Sequence, residues 1–168
     1  MRKINEIIVH ATATQPKWMA GKGAAAKRDE IRRWHVEDRG WSDIGYHMII
    51  DRDGTRARGR AEDRVGAHVR GRNTNSLGVS LVGGYGGAET DAFSDHFTPE
   101  QDDALRELIA EWTKVYPKIT QVSGHNEYAA KACPCFNVRA WQVQKPKAAP
   151  AKVHWIVALL RALFGGKT

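Results

Sequence analysis

Two histidines and a cysteine, far apart in the chain, carry the chemistry with the most specific requirement. His10 closes the run Asn-Glu-Ile-Ile-Val-His, His125 follows Val122-Ser-Gly, and Cys133 comes eight residues later. Zinc favours nitrogen and sulfur ligands, and catalytic zinc sites use three protein ligands with a fourth position open for water. Side chains at strand ends converge where a cleft forms, so the trio is a candidate metal site. On residue type alone an alternative stays open: each of the seven histidines is more commonly a surface or hydrogen-bonded core residue than a ligand. The second cysteine, Cys135, is one residue beyond Cys133, and a disulfide between them would close a ring too small for the preferred Cβ separation and torsion. A metal or catalytic role and two inert small side chains are the readings that remain.

The flanking patterns predict the elements that would bring these residues together. Residues 5–10 read as a short buried strand, followed by a loop from about Ala11 to Ala26. Lys27 to about Asp38 reads as a helix, with Ile31, Trp34 and His35 sharing one face and Gly40 ending the run. Ile44–Ile50 reads as a strand, Asp51-Arg-Asp-Gly54 as a turn, and Thr55–Gly59 as the returning strand. Leu77–Val82 is another apolar strand, stopped by a Gly-Gly-Tyr-Gly-Gly run that lacks the Lys-Ser/Thr of a phosphate loop and reads as a flexible connection. Thr98 as N-cap, Pro99 at the first helical position and Gln101 completing a capping box begin the clearest helix. Its apolar stripe is Ala104, Leu105, Leu108, Ile109, Trp112 and Val115, and Pro117 ends it before a last strand at Ile119–Val122. Strands alternating with helices, one pair of them a hairpin, predict an α/β domain with a central mixed β-sheet flanked by helices.

That domain is expected to span residues 1–144. Residues 145–152 read as a Pro/Ala/Lys linker and 153–168 as a cationic, mostly apolar C-terminal helix. The chain carries a formal charge of +7, and all 19 acidic residues lie at or before Glu127, so the excess belongs to the C-terminal quarter. A positive tail favours an anionic surface, and this tail could lie on an anionic membrane or envelope face but is too short to span one; a helix packed back on the domain is the alternative. No nucleic-acid motif accompanies the charge, and nucleic acid is not an expected partner. The start, MRKINEIIVHATAT, lacks a signal-peptide core, so synthesis in the cytoplasm without export by a leader is expected. A monomer is the default expectation.

The segments IIVHATAT, IRRWHVEDRGWSDIGYHMIIDRDG, VGAHVRGRNTNSLGVSLVGG, the capped helix and GHNEYAAKACPCF occur in that order. Together they resemble the type-2 N-acetylmuramoyl-L-alanine amidases, in particular the small phage lysozymes of the T7 type, and their relatives the peptidoglycan recognition proteins. The resemblance covers residues 5 to about 142. It implies that His10, His125 and Cys133, with the H-x7-C spacing, hold Zn2+, and that Tyr46 and Lys131 are catalytic. It further implies hydrolysis of the amide joining N-acetylmuramic acid to L-alanine in peptidoglycan, by a phage or prophage endolysin acting on the cell wall. A catalytic zinc lowers the pKa of a bound water toward roughly 7, and an oxyanion formed at the carbonyl needs positive charge or a donor nearby. His68, in VGAHxxGxN, matches a cleft-lining, substrate-contacting position, with a structural role as the open alternative, and Asn73 and Trp41 are further substrate-binding candidates. His47, beside Tyr46 on one strand, points to the opposite face and is read as structural. His35 is read as a helix-face residue and His96 as a surface one. Cys135 stands where close relatives commonly have serine and is not an expected ligand; Glu127 falls near the cleft. Recognition-only relatives typically lose the cysteine ligand, which this chain retains.

Overall fold

A computed structural model describes residues 2–144. The expected linker and C-terminal helix, 145–152 and 153–168, lie outside the described residues. Five strands form one sheet in the order β3-β2-β4-β1-β5, with β1 at Glu6–Ala11, β2 at Met48–Ile50, β3 at Arg56–Arg58, β4 at Ser76–Leu81 and β5 at Gln121–Gly124. β2, β4, β1 and β5 run parallel, and β3 returns antiparallel to β2 as the hairpin partner. The expected mixed sheet is therefore present.

Parallel strands are covered on both faces, and the alternation along β1 and β4 sorts their side chains between two layers. Ile7, Val9 and Ala11 of β1, with Leu77, Val79 and Leu81 of β4, enter the main core. That core also contains Ala104, Leu105, Leu108 and Trp112 of helix α3 (Pro99–Val115), reached after a short α2 (Phe93–His96), together with Val138 and Trp141 of α4 (Val138–Val143). On the opposite face Ile49 of β2 joins Ile31 of α1 (Ala24–Arg33), Ile44 and Val82, with Trp18, Trp34 and Tyr46 packed around them. The second set of β1 and β4 side chains, Glu6, Ile8 and His10 against Ser76, Gly78 and Ser80, faces this thinner layer. The sequence thus spends its large aliphatic residues on the α3 side and leaves room for polar chemistry on the α1 side.

α3 begins as its capping residues require. Thr98 Oγ1 accepts from the Gln101 amide and Gln101 Oε1 accepts from the Thr98 amide, both at 3.2 Å. Gln101 Nε2 also donates to the carbonyls of Ile50 and Val82, tying the helix start to the ends of two chain segments in the sheet. The apolar stripe stops at Trp112, because Val115 is 52% exposed.

The structure departs from the sequence reading in several places. α1 starts at Ala24, since the three alanines have strong helix propensity, and continues past Arg33 as a π-helical turn, Trp34–Asp38, in place of a regular helix. Residues 44–47 are not strand, though Arg60 N donates to Tyr46 O and Gly59 N to His47 O, so the hairpin pairing persists irregularly. β5 lies two residues later than expected, because Ile119 N still bonds back to Tyr116 O in the turn that ends α3. The glycine run after β4 is not merely a flexible connection: Gly84 pairs with Thr14, holds φ +80, and a Cβ there would come within 2.7 Å of Ala11 Cβ.

Candidate active site

The three candidate ligands meet at the carboxyl ends of the parallel strands, the usual crevice of α/β sheets. His10 is the penultimate residue of β1 and is fully buried. His125 opens a 3-10 turn directly after β5. Glu127 Oε1 accepts from the Gly124 amide at 2.8 Å, and the Asn126 amide donates to Cys133 O at 2.7 Å, so this turn and the Cys133 loop hold each other. The buried Glu6 carboxylate anchors the same region by accepting from Ser123 Oγ and from the Tyr128 hydroxyl.

The ligand atoms of His10, His125 and Cys133 all lie within 4.8 Å of one another. Cys133 Sγ stands 3.9 Å from His10 Nδ1 and accepts from the Ala11 amide at 3.2 Å. Burial pushes the His10 imidazole well below its ordinary range, and burial with the nearby Lys131 charge lowers His125. Both rings are therefore neutral near pH 7 and offer a lone pair. Burial pushes the Cys133 thiol up to about 11, a preference that a bound cation reverses, since metal ligation takes the thiolate. Two imidazoles and one thiol, without a carboxylate among them, suit zinc better than magnesium or calcium. The residues present fit the ion.

The site opens into a cavity of about 630 Å³ lined by Trp34, His35, Trp41, Tyr46, His68, Asn73, Tyr128 and Lys131, among others. Tyr46 packs beside His10, with ring centroids 5.0 Å apart. Burial first, then the Cys133 charge, raises its hydroxyl above the ordinary range, so it stays a proton donor at neutral pH. Trp41 stacks on His35 at 4.7 Å, and the His35 Nδ1 accepts from the Gly45 amide at 3.0 Å. Ile31, Trp34 and His35, which share one helical face, line this wall together, with the last two opening the π-helical turn.

His68 and Asn73 also line the cavity, yet both have intramolecular partners. His68 Nδ1 is 3.1 Å from His10 Nε2, and Asn73 Oδ1 accepts from the His68 and Val69 amides at 2.9 Å each. His47 points the other way, with Nδ1 accepting from the Gly78 amide at 2.9 Å, as expected of a structural residue. Cys135 donates to Gly84 O and is outside the ligand cluster. Glu127 is paired with Arg139 and does not line the cavity. His96, expected at the surface, is largely covered and bonded to Asp91 at 2.7 Å. The sequence reading missed Arg39, Arg70 and Tyr128 in the lining; isolated arginines in loops give no periodic signal that would have marked them. With Lys131 the two arginines make the wall cationic, and among the described residues no acidic side chain lines it.

The sequence profile of the N-acetylmuramoyl-L-alanine amidase family matches residues 1–136. The chain belongs to this family. This amidase is 44% identical to the endolysin of Escherichia phage T7, across 80% of this chain and 83% of that one. It is 41% identical to the endolysin of Enterobacteria phage K11, across 83% and 86%. Among solved structures it is similar to the N-acetylmuramoyl-L-alanine amidase LysC from Clostridium intestinale, with a TM-score of 0.65, 29% identity and 84% of each chain covered.

Proposed function

We propose that the chain is a zinc-dependent endolysin that hydrolyses the amide between the lactyl group of N-acetylmuramic acid and L-alanine in peptidoglycan. The observation that carries this reading is the meeting of two neutral imidazoles and a thiol in an acid-free cavity that also holds Tyr46 and Lys131. When bound by His10, His125 and Cys133, zinc supplies Lewis acidity and an activated water. Tyr46 and Lys131 line the same cavity and offer, respectively, a protonated hydroxyl and a cation toward the oxygen of the scissile amide as it gains charge. Burial of His10 and partial burial of His125 keep their lone pairs free of competing protons. Trp41 and Trp34 provide flat apolar surface on the cavity wall, and Arg39 and Arg70 provide charge complementary to stem-peptide carboxylates.

The likeness to phage endolysins supports a role in phage lysis. In this reading the chain is made in the host cytoplasm and reaches the wall once a separate protein has opened the membrane. Among the described residues no helix is long and apolar enough to cross a membrane. The cationic tail would add contact with an anionic membrane or envelope face. A monomer fits a described surface whose exposed large apolar side chains are Val65, Tyr85, Val115 and Val143.

The test is turnover of purified peptidoglycan, followed as newly exposed amino groups, before and after removal of metal by a chelator. Amino groups that appear, stop with chelator and return with zinc support the reading. Equal release after metal removal contradicts the zinc dependence.

A further inference from the structure

A directed hydrogen-bond chain runs inward from the candidate ligand His10, and its direction is fixed from the far end. Ser76 Oγ lies 2.8 Å from the carbonyl oxygen of Arg72, which can only accept, so the serine hydroxyl donates there. The same oxygen is 3.3 Å from His68 Nε2 and must therefore accept at that contact, which puts a proton on His68 Nε2. A neutral His68 then has a bare Nδ1, and the 3.1 Å contact with His10 Nε2 requires that His10 Nε2 carry the proton. What remains is His10 Nδ1, unprotonated and 3.9 Å from Cys133 Sγ.

We propose that His68 is a positioning residue for His10, fixing the tautomer and ring angle that present the Nδ1 lone pair to the metal. The proposal rests on the reading of His10, His125 and Cys133 as zinc ligands. Metal-binding histidines generally donate their second ring N–H to a partner that orients them; here the partner is a second histidine, itself held by Ser76 at its ring and by Asn73 at its backbone.

The setting of His68 is specific to that task. Its ring lies against Gly78 of β4, where a Cβ would come 2.6 Å from His68 Cγ, and against Gly66, where a Cβ would come 2.6 Å from its Cδ2. A glycine inside a buried strand weakens it and marks a close approach; at Gly78 the approaching group is this imidazole. Asn73 Oδ1 fixes the backbone at this point by accepting from the His68 amide and from the Val69 amide that follows it. With His68 Nδ1 and Nε2 both engaged inside the protein, the residue's polar atoms serve His10.

The experiment measures zinc affinity by chelator competition for the wild-type chain, Cys133→Ala, His68→Leu and His68→Asn, with thermal unfolding of the metal-free forms to verify folding. Asparagine places an amide at the position of the imidazole Nδ1 and can still accept from His10, whereas leucine fills the slot without an acceptor. The expected result is zinc binding weakened roughly 10–100-fold in His68→Leu and largely restored in His68→Asn. Long-range proton–nitrogen NMR of the wild-type chain is expected to show His10 protonated at Nε2 and His68 at Nε2. Unchanged zinc affinity in His68→Leu, with only KM raised, would mean a substrate contact and overturn the proposal. So would His10 protonated at Nδ1 with zinc bound. If the wild-type chain binds no zinc, or Cys133→Ala binds it equally well, the ligand reading itself fails and the positioning role falls with it.

Discussion

Cys133 Sγ stands 3.9 Å from His10 Nδ1 although 123 residues separate them in the chain. The contact joins β1, at the start of the domain, to the last loop before α4, so the site exists only when the sheet is complete. Cys133→Ala and His125→Ala are each expected to lose zinc and turnover together while the apo fold persists. Metal analysis of the purified variants, beside circular dichroism, checks this. Retained zinc with lost turnover would point to a different ligand set.

Tyr46→Phe and Lys131→Ala should separate the two functions that the ligand variants remove at once. Neither side chain belongs to the ligand cluster, so zinc content is expected to stay at the wild-type level. Loss of a donor or charge beside a developing oxyanion typically costs on the order of 100-fold or more in kcat. Full activity in both variants would remove them from the catalytic account.

Buried histidines set an acid limit on stability, His35 and His47 among them. Burial lowers His35 and His47 to about 4 each, against an ordinary value of 6.5. Both are depressed in the folded state, so the unfolded chain binds more protons between these values. Their stability contribution is whole above about pH 6.5 and is lost as pH falls toward 4. In chelator, to keep the metal out of the comparison, Tm is expected to fall by roughly 10 °C between pH 7 and pH 5. A flat Tm across that range would contradict neutral, buried rings.

Lys27 and Asp51 form a buried ion pair, with Nζ 2.6 and 2.8 Å from the two carboxylate oxygens, that pins α1 to the end of β2. Lys27→Ala leaves the Asp51 carboxylate buried without its cation, at a cost of about 3–5 kcal/mol. Urea unfolding is expected to show that loss, and replacing both residues by apolar ones of similar size should recover much of it.

The tail is tested by deletion of residues 146–168. Hydrolysis of purified wall is expected to be unchanged, and action on whole, envelope-bounded cells to fall. Equal potency of the two forms on whole cells would refute a surface contact by the tail.

The parts legible in the sequence are those with local causes. The Thr98–Gln101 capping box, the stripe from Ala104 to Trp112 and the Asp51–Gly54 turn each depend on neighbours a few residues apart, and each is found where the pattern placed it. The trio His10, His125 and Cys133 was legible because motifs fix it, and the fold brings its ligand atoms together. What stayed hidden depends on distant partners. Gly78 reads as a flaw in a strand until the His68 ring is placed against it, and Gly84 reads as slack until Ala11 approaches. The π-helical turn at Trp34–Asp38 has no periodic signature of its own: Trp34 and His35 continue the face that starts at Ile31. Arg39 and Arg70 were hidden because loop geometry, not spacing, brings them to the lining.

The most direct test of the central claim is mass spectrometry of the products released from purified peptidoglycan. The account predicts free stem peptides beginning at L-alanine, together with glycan strands whose muramic acid carboxyl groups are free. Shortened glycan fragments with their peptides still attached would mean that a glycosidic bond is cut, and would contradict it.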